Sequence, residues 1–144
     1  MTAVVKTAAE LVTAMDATAR DIENWVARLD LSTTYHQPER GLPRLFTRLN
    51  ALEMAFIAAL VRGGAAPAKA AGVGRLFVLD ARYGRLEKWN QWFVFPAGKL
   101  ERGIGTDKLD VAAPQIIELN ATTISIVNIK ELVRRVDDLF SEAD

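Results

Sequence analysis

Residues 7–31 read TAAELVTAMDATARDIENWVARLDL, and the fold turns on how this stretch divides. Leu11, Val12 and Met15 share one face at helical spacing, which predicts a short helix over Thr7–Met15. Asp16-Ala17 makes a tight break. Thr18 then suits the N-cap of a second helix, and Asp21, three residues later, completes a capping-box pair. Ile22, Trp25, Val26 and Leu29 give this helix, running to about Leu29, its buried face. Two short helices across so small a turn predict a helix-turn-helix arrangement.

Outward from this stretch the pattern changes. Ser32 to Tyr35 suits extended chain, Gln37 to Gly41 marks a turn, Pro43 blocks helix, and Arg44-Leu45-Phe46 returns as a short strand. The expectation is a small hairpin, with arginines near its tip and along its return strand. Thr47 can cap a third helix over Arg48–Arg62, whose apolar stripe is Leu49, Leu52, Phe56, Ile57, Leu60 and Val61, and Gly63-Gly64 ends it. Pro67 fits the first turn of a fourth helix reaching Arg82, despite Gly72 and Gly74 in its interior. Beyond it, Trp89–Phe95 has strand composition, and LERGIGTDKL offers a glycine-interrupted return strand. Gln115–Leu119 and Thr122–Val127 suggest two more strands around a turn at Asn120-Ala121. A last helix spans Ile129–Phe140. The expected class is α+β, with a helical first unit at 1–82 and a small α+β unit at 83–144.

The composition narrows the function classes. Half of the 144 residues are apolar, enough for a core, and no apolar run approaches the roughly 20 residues of a membrane span. Residues 1–6 lack the pattern of a signal peptide, and cysteine is absent, so a reducing cytosol is the expected setting. Without cysteine there is no thiolate metal site or thiol nucleophile. The single histidine, His36, has no second histidine to work with, the carboxylates are scattered, and Gly72-Val73-Gly74 lacks the lysine of a phosphate loop. No catalytic, metal or cofactor site is expected. The formal net charge is zero, yet between Arg40 and Arg75 six basic residues face one acid, Glu53.

The order helix, turn, helix, arginine-bearing hairpin and helix pair resembles the MerR-type winged helix-turn-helix. Residues 7–31 resemble that family's first two helices, with Thr18 at the cap, Arg20 just inside and Trp25 at the aromatic position. ERGLPRLFT (39–47) resembles its wing, and RLNALEMAFIAALVRGGAAPAKAA (48–71) its third and fourth helices with glycine at the joint. The resemblance covers about residues 5–80. Two features depart from it. Asp21 and Glu23 place acids on the second helix, expected to be a capping and a solvated residue, the alternative being acceptance from a cytosine amine. The second half lacks the long dimerisation helix and cysteine-bearing metal loop of the metal-sensing members.

The resemblance implies sequence-specific binding of double-stranded DNA by a transcription regulator, with a helix over about 18–29 in the major groove. Arg20 would reach a base edge, with Thr18 and Asn24 in support. Arg40 and Arg44 in the 38–46 segment would contact phosphates or the minor groove, and Arg48 at the start of the third helix would add a phosphate contact. A homodimer is expected, because one such module is a small interface. The second half is then the place for dimerisation or a protein partner, either through Trp89, Trp92, Phe93 and Phe95 or through the last helix. For both, burial in the chain's own core is the commoner alternative. Two other functions fit the same fold: an architectural DNA-binding factor, as in excision factors or phage packaging subunits, and a protein-interaction adaptor.

Overall fold

The computed structural model describes residues 4–118 and 122–141. Among the described residues the chain is α+β, with six α-helices and two small antiparallel sheets. Lys6–Thr7 (β1) leads directly into Ala8–Leu11 (α1), and a 3-10 turn over Val12–Ala14 follows, so the first expected helix is shorter than its periodicity suggests. Ala19–Arg28 (α2) starts as expected: Thr18 Oγ1 accepts from the Asp21 amide at 3.1 Å, and the Asp21 carboxylate accepts from the Thr18 amide at 3.0 Å. This reciprocal cap satisfies donors that the first turn would otherwise leave open. The same device, built with Asn50, starts the third helix, Arg48–Arg62 (α3), at Thr47.

The expected hairpin is absent. Leu45–Phe46 (β2) pairs antiparallel with β1, in the register Lys6 to Phe46 and Thr7 to Leu45, and not with residues 32–35. The reason is that side chains of α3 hold residues 32–35, as described below, while the start of the chain supplies the strand partner.

At the far end of α3, Gly64 adopts φ of 100°, a conformation that glycine reaches without strain, and Ala65 donates back to the Leu60 carbonyl. Pro67–Arg82 (α4) follows and packs antiparallel along α3, with Pro67 in its first turn. Gly72 and Gly74 each weaken this helix by about 1 kcal/mol relative to alanine. Burial of Ala70, Phe77, Val78 and Ala81 outweighs that cost.

The second sheet has the order β4-β3-β5, from Trp92–Pro96 (β3), Ile104–Thr106 (β4) and Ile124–Asn128 (β5). β3 is the central strand, antiparallel to both neighbours. The strand expected over Trp89–Phe95 thus starts later, and a 3-10 turn at Leu100–Arg102 takes up the start of the expected return strand. Of the strand expected over Gln115–Leu119, Leu119 lies outside the described residues and Gln115 to Ile117 belong to a helix instead, Leu109–Ile117 (α5). Ala112 and Ile116, one turn apart, both bury while Pro114 between them is exposed, whereas a strand would have placed all three on one face; the exposed Ile117 also lies on the solvent side. The expected turn at Asn120-Ala121 lies outside the described residues. β5 runs straight into Ile129–Ser141 (α6), which buries Ile129, Leu132, Val136 and Phe140.

One apolar core runs through both halves of the chain. Phe56 of α3 stacks on Phe77 of α4 with ring centroids 4.6 Å apart, and Trp89 stands edge-on to both, at 5.6 and 5.2 Å. Phe93 and Phe95 are buried, Trp89 packs against the cluster they belong to and the apolar face of α6 also turns inward, so these residues serve the chain's own core, while Trp92 is half-buried outside that cluster. The sheet meets α3 at Gly63, where an added Cβ would lie 2.7 Å from Phe95 Cζ and 2.8 Å from Ser125 Cβ.

Gly63→Ala should therefore lower stability by about 1–3 kcal/mol, since β3 and β5 would have to move off the helix end. Urea unfolding checks this, and an unchanged midpoint would contradict the close approach.

Candidate nucleic-acid interface

Helix α2 is two-faced. Ile22 and Trp25 bury against the core, while Arg20, Asn24, Ala27 and Arg28 are exposed. At 100° per residue, positions 20, 24, 27 and 28 fall on one side of the helix, so two guanidinium groups and an amide line a single solvent-facing strip. Thr18 is exposed at the leading end, its hydroxyl engaged in the cap.

Both acids of α2 are accounted for. Asp21 closes the cap, as expected. Glu23 is not simply solvated: its carboxylate pairs with Arg44, Nε to Oε2 3.1 Å. The Arg44 side chain is only 13 % exposed, and its Nη1 also donates to the His36 carbonyl at 2.5 Å. Arg44, expected to be open to a phosphate, is thus committed inside the molecule. It pins residues 36–44 beside α2 and neutralises the acid next to the exposed strip. His36 shares in this: its Nδ1 accepts from the Leu45 amide at 3.1 Å, fixing the return of the chain into β2.

Arg40 is exposed at the tip of the loop, beside Gly41 in a left-handed turn with φ of 82°. Arg48 is partly exposed, but its Nε donates to Asp137 of α6 at 2.5 Å. A phosphate at Arg48 would have to compete with that carboxylate. The structure therefore groups Thr18, Arg20 and Asn24 on α2, leaves Arg40 open on the loop, and engages Arg44 and Arg48 internally.

What holds the loop is a buried acid. Glu53 lies in the middle of α3 with no exposed surface, and its carboxylate accepts from the amides of Ser32 (2.7 Å) and Thr33 (3.2 Å), from Thr33 Oγ1 (2.7 Å) and from Tyr35 Oη (2.9 Å). Asn50, one turn earlier, donates to Thr33 Oγ1 at 2.8 Å and to the Thr34 carbonyl at 3.2 Å. Burial, then the Glu53 charge, pushes the Tyr35 phenol above its ordinary range, so it remains a donor. Arg75 of α4 pairs with Asp30 and Arg82 donates to the Ser32 carbonyl at 3.2 Å, tying the loop's start to α4.

Sequence reasoning passed over Arg28 and the Glu53 network. The signals were there: Arg28 is four residues from Asn24, and Glu53 interrupts the apolar stripe of α3 between Leu49 and Phe56. A polar residue at such a position needs buried partners.

Among the described residues no group of three His, Cys, Asp or Glu side chains could hold a metal ion, and no helix is long and apolar enough to cross a membrane. A separate groove of about 340 Å³ opens between the α1–α2 turn, the end of α3, β5 and α6; of the charged groups around it, Arg135 is paired with Glu131. A scan against protein-family models and a search of curated proteins found no match to this chain.

Glu53→Gln keeps the side-chain shape but turns an amino group toward donors. It should lower stability by about 1–3 kcal/mol, read from the urea midpoint. An unaltered midpoint would show that the loop does not depend on this carboxylate.

Proposed function

We propose that the chain is a helix-turn-helix protein, with the 37–43 loop in the place of a hairpin wing, that binds double-stranded DNA in a sequence-specific way and acts as a transcription regulator. In this reading α2 enters the major groove and the 37–43 loop lies along the neighbouring backbone. The observation that carries the proposal is the exposed strip of α2. Arg20, Asn24 and Arg28 face solvent together, and both acids of the same helix are taken up by a cap and an ion pair. A helix about 10 Å across fits the major groove, where a guanidinium can pair with both acceptors of guanine and an amide with adenine.

The roles then divide. Arg20 and Asn24 read base edges, and Arg28 reaches an edge or a flanking phosphate. Arg40 contacts backbone without reading sequence. Arg44 is a positioning residue: it holds the loop against α2 and cancels the Glu23 charge that would otherwise repel phosphate. The order of helices along residues 5–80, which resembles the MerR type apart from the missing hairpin, supports the same reading. The exposed strip distinguishes it from an adaptor that has lost DNA contact, since such an adaptor has no use for uncompensated cations there.

The test begins with a pull-down of genomic fragments by the purified protein, followed by fluorescence anisotropy on the enriched sequence. Arg20→Ala should cost about 1–3 kcal/mol on that sequence and little on random DNA. Arg40→Ala should weaken all sequences alike and reduce the salt slope by about 1. Equal loss on both DNAs for Arg20→Ala, or no enriched sequence at all, would overturn the proposal. A promoter–reporter assay separates a regulator from an architectural factor, which would bind a site without changing transcription.

A further inference from the structure

Helix α4 carries an apolar line that none of the described residues covers. Leu76 and Leu79 are 64 % and 44 % exposed, and Tyr83, the first residue past the helix end, is 63 % exposed. Gly72 continues the line: no atom lies within 4 Å of where its Cβ would sit. The intervals 72, 76, 79, 83 alternate four and three, so the positions fall within a stripe roughly 60° wide. This is the spacing of a helix–helix seam.

We propose that this seam is a homodimer interface in which α4 packs antiparallel against α4 of a second copy. The four positions are symmetric about the point midway between residues 77 and 78. A two-fold axis through that point sets Leu76 of one copy against Leu79 of the other, and Tyr83 of one against Gly72 of the other. Leucine meets leucine in the middle, and at each end a ring covers bare backbone. A parallel pair would instead oppose Tyr83 to Tyr83 and Gly72 to Gly72, with crowding at one end and a gap at the other. The antiparallel match is isologous, as closure into a dimer requires.

Gly72 supports this independently. It weakens an exposed helix, and nothing among the described residues approaches it, so its absent side chain has no use among them. Most charges beside the seam are already engaged, Arg75 with Asp30, Arg82 with the Ser32 carbonyl, and Asp80 with Arg85 and the Trp89 indole, while the exposed Lys69 lies at its far end. The engaged charges therefore oppose close approach less than free charges would. A helix of 16 residues is about 24 Å long, so the pair buries on the order of 1,000 Å², the low end for specific association. The dimer is accordingly one that dissociates on dilution.

This goes beyond the DNA reading and does not rest on it, so the test is made without nucleic acid. Sedimentation velocity over a concentration series should show the full chain passing from monomer to dimer. Leu76→Glu/Leu79→Glu alters only exposed positions, so it should keep the circular dichroism of the parent while weakening self-association by about 100-fold or more. The absence of native cysteine makes the register testable too. Within one chain, Gly72→Cys and Tyr83→Cys stand about 16 Å apart along the helix, too far to bridge. The double variant should therefore form disulfide-linked dimers when oxidised by oxygen with copper phenanthroline, and Gly72→Cys alone should not. The proposal is overturned by a parent chain that stays monomeric at every concentration, as a seam made for a different protein would. It is also overturned by a dimer that survives the double glutamate variant, or by Gly72→Cys alone cross-linking as well as the pair.

Discussion

A carboxylate buried in the middle of α3 governs the face that the molecule turns toward the proposed ligand. Glu53 has no exposed surface, and a charge in that position costs several kcal/mol unless donors surround it. Residues 32–35 supply those donors from two amides and two hydroxyls. The loop is thereby fixed by side chains where a two-stranded ribbon would have been fixed by a backbone ladder. Its continuation carries Arg44 into contact with Glu23, so α3 indirectly sets the surroundings of α2. The network leaves one loose end among the described residues, the buried Ser32 Oγ, which has no partner.

The formal net charge of zero conceals an asymmetry in how the charges are used. Asp21 closes a helix start, Glu23 answers Arg44, Asp30 answers Arg75, Asp80 holds Arg85 and Trp89, and Asp137 answers Arg48. On α6, Glu131 is held near a pKa of about 2 by the Arg134 and Arg135 guanidinium groups that donate to it. These acids spend their charge locally. Among the described residues the cations of the α2 strip have no such counterpart, so a neutral chain can still present a positive surface of limited extent.

Much of the fold was legible because its signals are local. Thr18 with Asp21, Thr47 before the α3 stripe, Pro67 in a first turn and glycines after Arg62 each announce a helix boundary within a few residues. What escaped depended on distance along the chain. β1 is two residues long and acquires meaning only when β2 arrives almost forty positions later. Glu53 and Arg44 reach partners about twenty residues away, and periodicity says which way a residue faces without saying whom it meets. α5 was missed for another reason: Gln115-Ile116-Ile117 is too short a stretch to tell strand from helix, and burial of Ala112 and Ile116 with Pro114 exposed between them decides for helix. For the candidate site, the positions on α2 were readable from helical spacing, whereas the internal engagement of Arg44 and Arg48 was not.

The aromatic cluster at the junction of the two halves has a mechanical consequence. Phe56 and Phe77 belong to the first half, but the indole and phenyl groups that flank them, Trp89 and Phe93, come from the second. A fragment cut after Arg82 would keep every residue of the α2 strip and yet carry a raw hydrophobic wound on its flank. The carboxy-terminal sheet thus acts as a plug for the helical half, and heat or denaturant should melt the two in a single cooperative step.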